Sequence, residues 1–152
     1  MEPGVRRSSD LGARKRSPLG HAPRSGGALL VRARATLPGG LELVHVGGHF
    51  DGSQVLFWPA GAGGKGVLLT ADMPNVCSDP RWVTFMRSYP NYIPLSGAEA
   101  ERVVTALRPL AFDRVYGWTP ERVIRTDARR SLERSLARHG QALRGEHDVV
   151  TW

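Results

Sequence analysis

Cysteine is almost missing from this chain: Cys77 stands alone among 152 residues. One thiol excludes an internal disulfide framework and every Cys-rich zinc module, and it fits a reducing, cytoplasmic compartment. Long apolar runs are missing too. Stretches such as Val67-Leu68-Leu69 fall far short of the ~20 residues that cross a bilayer, so no membrane span is expected. The first 25 residues contain no apolar core of ~7–15 residues of the kind a secretory signal needs. Lysine is scarce as well, with two against nineteen arginines. That imbalance reads as composition bias, because no physical requirement imposes it along a whole chain.

What is present is basic charge, but it is unevenly spread. The net charge is +7; residues 1–40 carry eight Lys/Arg against Glu2 and Asp10, and residues 41–152 carry thirteen against twelve. The tail is therefore basic and the body nearly neutral, which makes nucleic acid an unlikely partner for the body. Residues 1–27 hold five Gly, three Pro, four Ser and six Lys/Arg. Such a segment buries too little apolar surface to offset its ordering entropy and is expected to be a disordered basic tail. A folded domain is expected over 28–143, with residues 144–152 as a C-terminal tail.

Leu29–Leu37 and Leu41–Val46 read as strands around the turn Pro38-Gly39-Gly40. There, proline presets one dihedral and glycine permits positive φ. Gln54–Trp58 and Val67–Thr70 are further short apolar strands, and with Leu41–Val46 they make a three-strand meander. Gly61-Ala62-Gly63-Gly64-Lys65-Gly66 resembles a phosphate loop only superficially, since it precedes a strand where that motif requires a helix. Asp79–Ser88 has Trp82, Phe85 and Met86 at helical spacing and is expected to be a short helix. Ser96-Gly97-Ala98-Glu99 is a capping box that opens a helix through Leu107. Phe112–Tyr116 is expected as a strand, and Thr126 as the cap of a last helix running to His139 and closed by Gly140. The exposed side of that helix carries Arg129, Arg130, Arg134 and Arg138, with Glu133 to pair them. The sum is an α/β (α+β) fold, a mixed sheet flanked by helices.

Two stretches carry chemistry. In Val46-Gly47-Gly48-His49-Phe50-Asp51-Gly52-Ser53 a strand ends, two glycines turn the chain, and His49 follows. In Leu68-Leu69-Thr70-Ala71-Asp72 an acid follows directly on a strand. In a meander, alternate strands end at the same edge, so His49 and Asp72 are expected to leave the sheet together. An imidazole nitrogen and a carboxylate oxygen suit Zn²⁺ or a similar divalent cation. A turn histidine that only hydrogen-bonds, and an aspartate that only caps its turn, remain the plainer alternatives.

Gly48-His49-Phe50-Asp51-Gly52-Ser53, followed about twenty residues later by Leu68-Leu69-Thr70-Ala71-Asp72, resembles the second half of the metallo-β-lactamase fold. Trp82-Val83-Thr84-Phe85-Met86-Arg87-Ser88-Tyr89-Pro90-Asn91 and Phe112-Asp113-Arg114-Val115-Tyr116-Gly117 resemble a bacterial branch of the same superfamily, and the likeness spans roughly residues 37–140. It implies half of an αββα sandwich, with His49 as a terminal metal ligand and Asp72 as a bridging one, although Ala71 stands where the family has glycine. In intact relatives it implies two divalent metals, zinc or a similar cation, and metal-dependent hydrolysis of a small-molecule ester, amide, thioester or phosphoester. The departures are large. The family's main motif, His-x-His-x-Asp-His, has no counterpart here, and Tyr116-Gly117-Trp118 stand where its last histidine is expected. The chain therefore reads as a truncated hydrolase homologue with no catalytic residue of its own. The other reading is a non-catalytic half-domain that docks on a partner chain supplying the missing half.

Overall fold

The computed structural model describes residues 33–147. The expected tail at residues 1–27, and most of the strand expected from Leu29, lie outside the described residues. The first four strands are β1 (Arg34–Leu37), β2 (Leu41–His45), β3 (Gln54–Trp58) and β4 (Val67–Ala71). They form a consecutive antiparallel meander. β1 pairs with β2 across the Pro38–Gly40 turn, where the sequence places a strand on either side, and so joins the three-strand meander of β2, β3 and β4.

The next segments are short: β5 (Asn75–Val76), β6 (Val83–Thr84), β7 (Met86–Ser88) and β8 (Ile93–Pro94), which pair as two small hairpin-like sheets. This corrects the helix expected over Asp79–Ser88. The spacing of Trp82, Phe85 and Met86 imitates a helical face, but Val83 and Thr84 are β-branched and pack readily as strand. Their backbone is also claimed from elsewhere. The Val83 amide donates to Ser135 Oγ at 3.0 Å, and the Cys77 amide to the Trp82 carbonyl at 3.0 Å. Phe85 is core, 1 % exposed.

Helix α1 (Gly97–Leu107) begins as the capping box requires: Ser96 Oγ accepts from the Glu99 amide. Strand β9 (Arg114–Gly117) then returns parallel to β4, and β10 (Val123–Ile124) closes that edge. Helix α2 (Ala128–Leu143) starts one residue later than expected, with Asp127 at its N-cap, and runs through Gly140. The main sheet is thus a mixed six-strand sheet in the order β1-β2-β3-β4-β9-β10, and the fold is α+β. The parallel pair depends on Gly66, whose φ is +82°. A Cβ there would fall 1.9 Å from the Ala111 carbonyl oxygen.

The helices cover one face of the sheet. Val44, Val55, Phe57, Leu68 and Val115 point into a core shared with Val103, Val104, Leu107, Ala128 and Leu132. Arg108 ties the two helices at the surface, its guanidinium bonded to Glu133 at 2.9 and 3.0 Å. That contact holds the Glu133 carboxyl below its ordinary range and raises Arg108. Strand alternation puts Leu41, Leu43, Leu56, Trp58, Leu69 and Tyr116 on the opposite face. Leu43, Leu56, Leu69 and Tyr116 lie in one cross-strand row. No described element covers that row: Leu43, Leu56 and Tyr116 are only half-buried, and Leu69 is 41 % exposed.

Candidate functional site

Strand direction decides where the two expected ligands lie. β2 and β4 are both antiparallel to β3, and β9 is parallel to β4. The C-terminal ends of β2, β4 and β9 therefore share one edge. His49 follows β2, Asp72 follows β4 and Trp118 follows β9, so all three leave the sheet at that edge.

The turn that presents His49 is built on Gly47 and Gly48, both at positive φ. At Gly48 a side chain would press on Leu95 and Val103, with a Cβ only 3.0 and 3.1 Å from their methyl groups. The turn thus rests on the α1 side of the core, and only glycine lets it come so close. Ser53 closes it, accepting from the Phe50 amide at 3.1 Å. His49, half-buried, donates from Nδ1 to the Met86 carbonyl at 3.0 Å. A carbonyl can only accept, so this bond places a proton on Nδ1; in the neutral imidazole the lone pair is then on Nε2.

Tyr89 joins the two stretches. Its ring lies 5.4 Å from the His49 ring, centre to centre, and its hydroxyl donates to the Asp72 carbonyl at 2.9 Å. Burial raises the phenol's pKa, so it is a donor at neutral pH. Asn75 neighbours the same phenol, and its Oδ1 is buried without a hydrogen-bond partner among the described residues. In the sequence Tyr89 is distinguished only by lying in the stretch Trp82–Asn91. Its place beside both candidate ligands became visible only with the hairpin of β7 and β8, which carries Met86 and Tyr89 past the end of the main sheet.

The donor set is incomplete for a catalytic zinc, which takes three protein ligands and an open position. Among the described residues, no group of three or more His, Cys, Asp or Glu side chains gathers around a point that could hold a metal ion. The third position at the edge is Trp118, 62 % exposed, and an indole is no metal ligand. His49 and Asp72 would supply at most two donors, and no hydrolytic step follows from two donors. Two other histidines among the described residues, His45 and His139, are engaged elsewhere. His45 Nε2 meets the Asp51 carbonyl, while His139 Nε2 donates to the Leu95 carbonyl at 2.9 Å and packs edge-on against Phe85.

The arginines of α2 are arranged differently from the expected solvated face. Glu133 is taken by Arg108 from α1, and Arg129 donates to the carbonyls of Arg108 and Leu110. Arg134 and Arg138 both stack on Trp82, at 4.5 and 4.4 Å from the ring centre. Cys77 is a free, half-buried thiol whose pKa is pushed up chiefly by burial, which makes it a poor nucleophile.

Over 107 residues, 70% of this chain, the sequence is 44% identical to the uncharacterized protein YmaE of Bacillus subtilis (strain 168). The chain spans 39% of that protein's length. No protein-family model matches the chain, and no solved structure matches it. Among the described residues, no helix is long and apolar enough to cross a membrane.

Proposed function

We propose that this chain is a homologue of metallo-β-lactamase-fold hydrolases that contributes one half of a divalent-metal site and is not a hydrolase alone. The observation that carries this reading is the His49–Met86 hydrogen bond. A metal-binding histidine characteristically donates its second ring N–H to a carbonyl or carboxylate, which fixes the ring and the tautomer. His49 has that arrangement, and it shares Tyr89 with the chain at Asp72. In an intact relative, zinc or a similar cation would be held by His49, Asp72 and ligands from elsewhere, and would polarise a small-molecule ester, amide, thioester or phosphoester. The reading places the chain in the cytoplasm, where Cys77 remains a free thiol.

The uncovered sheet face favours docking as the accompanying role. Leu43, Leu56, Leu69 and Tyr116 make a contiguous apolar row where soluble domains normally present polar side chains. Its proposed occupant is a sheet carried by a partner chain that supplies the missing half. The proposal is tested by zinc stoichiometry after dialysis and by lactam, thioester and phosphodiester assays on the full chain. The expected result is weak zinc binding, lost in His49→Ala, with no turnover. One or two tightly held zinc ions with multiple turnover would overturn it.

A further inference from the structure

At the N-terminal end of α2, far along the sheet from His49, lies an open cavity of about 460 Å³. Four guanidinium-bearing residues line it: Arg81 from the loop before β6, Arg125 from the end of β10, and Arg130 and Arg134 from α2. Opposite charge is sparse. Asp127 is the single acid lining the cavity, and Asp79 is committed to Arg81 by bonds of 2.7 and 3.0 Å. Two acids against four arginines leave the cavity about two charges positive. Arg125 and Arg130 make no ion pair among the described residues.

Several donors there lack acceptors. The Nε of Arg134 is buried without a hydrogen-bond partner among the described residues, although its terminal nitrogen reaches the Arg81 carbonyl. In the first turn of α2, the Asp127 amide donates to Asp113 Oδ1 and the Ala128 amide to the Asp113 carbonyl. The amides of Arg129 and Arg130 have no such partner among the described residues. A buried N–H without an acceptor, as at Arg134 Nε, favours a ligand that supplies one.

From this cluster of free donors and unpaired positive charge we infer that the cavity binds the phosphate of a small phosphomonoester. Tetrahedral oxyanions match the forked donors of arginine, and helix amides add a favourable dipole. The volume lies in the range of small-molecule sites and exceeds what a bare phosphate fills. Pro80, exposed in the lining, gives the organic part an apolar contact. The site shares no residue with the His49 edge and does not depend on the metal reading.

The test is a ¹H–¹⁵N NMR titration of the full chain with inorganic phosphate, with phenyl phosphate, and with sodium chloride at equal ionic strength. Saturable shifts are expected at the Arg129 and Arg130 amides and at Arg134 Nε, with phenyl phosphate binding more tightly and the His49 signals unmoved. Arg125→Ala/Arg130→Ala changes only exposed side chains and is expected to weaken binding at least tenfold. Arg102→Ala, an exposed arginine outside the cavity, is expected to bind like the parent chain. Shifts that chloride reproduces, or equal loss in both variants, would overturn the site. Phenyl phosphate binding no better than inorganic phosphate would overturn its assignment to phosphomonoesters.

Discussion

Replacing Tyr89 with phenylalanine removes one oxygen and leaves the ring beside His49, so no cavity opens. The loss is the 2.9 Å bond to the Asp72 carbonyl and the weaker 3.4 Å contact with Thr84 Oγ1. A typical intramolecular hydrogen bond contributes a net ~0.5–1.5 kcal/mol, and a partly buried acceptor left unpaired brings the cost toward ~1–2 kcal/mol. For a domain of this size, 1 kcal/mol lowers the melting temperature by roughly 3–6 °C. Tyr89→Phe should therefore melt about 3–10 °C below the parent chain, with an unchanged denaturant slope. Tyr92, 84 % exposed, supplies the control, since Tyr92→Phe should melt like the parent. The variant should also loosen the main chain at Asp72 and weaken zinc binding by ~10-fold, the usual scale for residues that orient metal ligands. Equal melting temperatures and equal zinc affinities for Tyr89→Phe and Tyr92→Phe would refute the coupling of the two stretches through this phenol.

Other consequences are independent of the metal. Burial raises the Tyr89 pKa above its ordinary 10.0, so the stability this group contributes is present below about pH 10 and is lost as pH rises through the folded value. Alkaline denaturation midpoints should show that component in the parent chain and lack it in Tyr89→Phe. Ser135 is 3 % exposed, accepts from the Val83 amide and donates to the Ser131 carbonyl at 2.7 Å. Ser135→Ala orphans the Val83 amide and should cost ~1–3 kcal/mol in urea denaturation; no measurable loss would mean β6 is not anchored to α2. Asp79 is held down to about 2 by its hydrogen bonds from Arg81. Stability from this group is present above its unfolded pKa and is lost as pH falls toward 2, a titration that carboxyl NMR shifts can follow, and Arg81→Ala should raise the Asp79 value, with the residue-81 amide still bonded to the carboxylate and holding it below the ordinary range. Leu56→Lys/Leu69→Lys places charge on the uncovered sheet face and should raise solubility without lowering the melting temperature; marked destabilisation would mean that the face is covered.

The legible parts of the fold were those written in local chemistry. Ser96 and Glu99 announce α1 because a hydroxyl acceptor three residues ahead of an acid satisfies the first free amides of a helix. β2, β3 and β4 are legible because each is a short apolar run bounded by glycine or a polar turn. The edge shared by His49 and Asp72 followed from strand direction alone. What escaped was fixed by partners distant in sequence. Asp79–Ser88 carries a helical apolar spacing, yet its backbone is bonded to Ser135 on α2. The last helix offered Thr126 as a cap, but Asp127 takes that place because Asp113 holds both its amide and that of Ala128. Nothing near Tyr89 in sequence points to the Asp72 carbonyl as the acceptor of its hydroxyl. Arg134 and Arg138 read as a solvated face because Trp82 is more than fifty positions away.

The central claim is that His49 is held as a metal ligand, with Nδ1 protonated toward Met86 and Nε2 free. Long-range ¹H–¹⁵N NMR of the imidazole nitrogens during zinc titration tests it directly. His49 should be the Nδ1–H tautomer without zinc, and its Nε2 resonance alone among the histidines should move saturably when zinc is added. A proton on Nε2, metal at Nδ1, or a zinc response at His45 or His139 with none at His49 would contradict it.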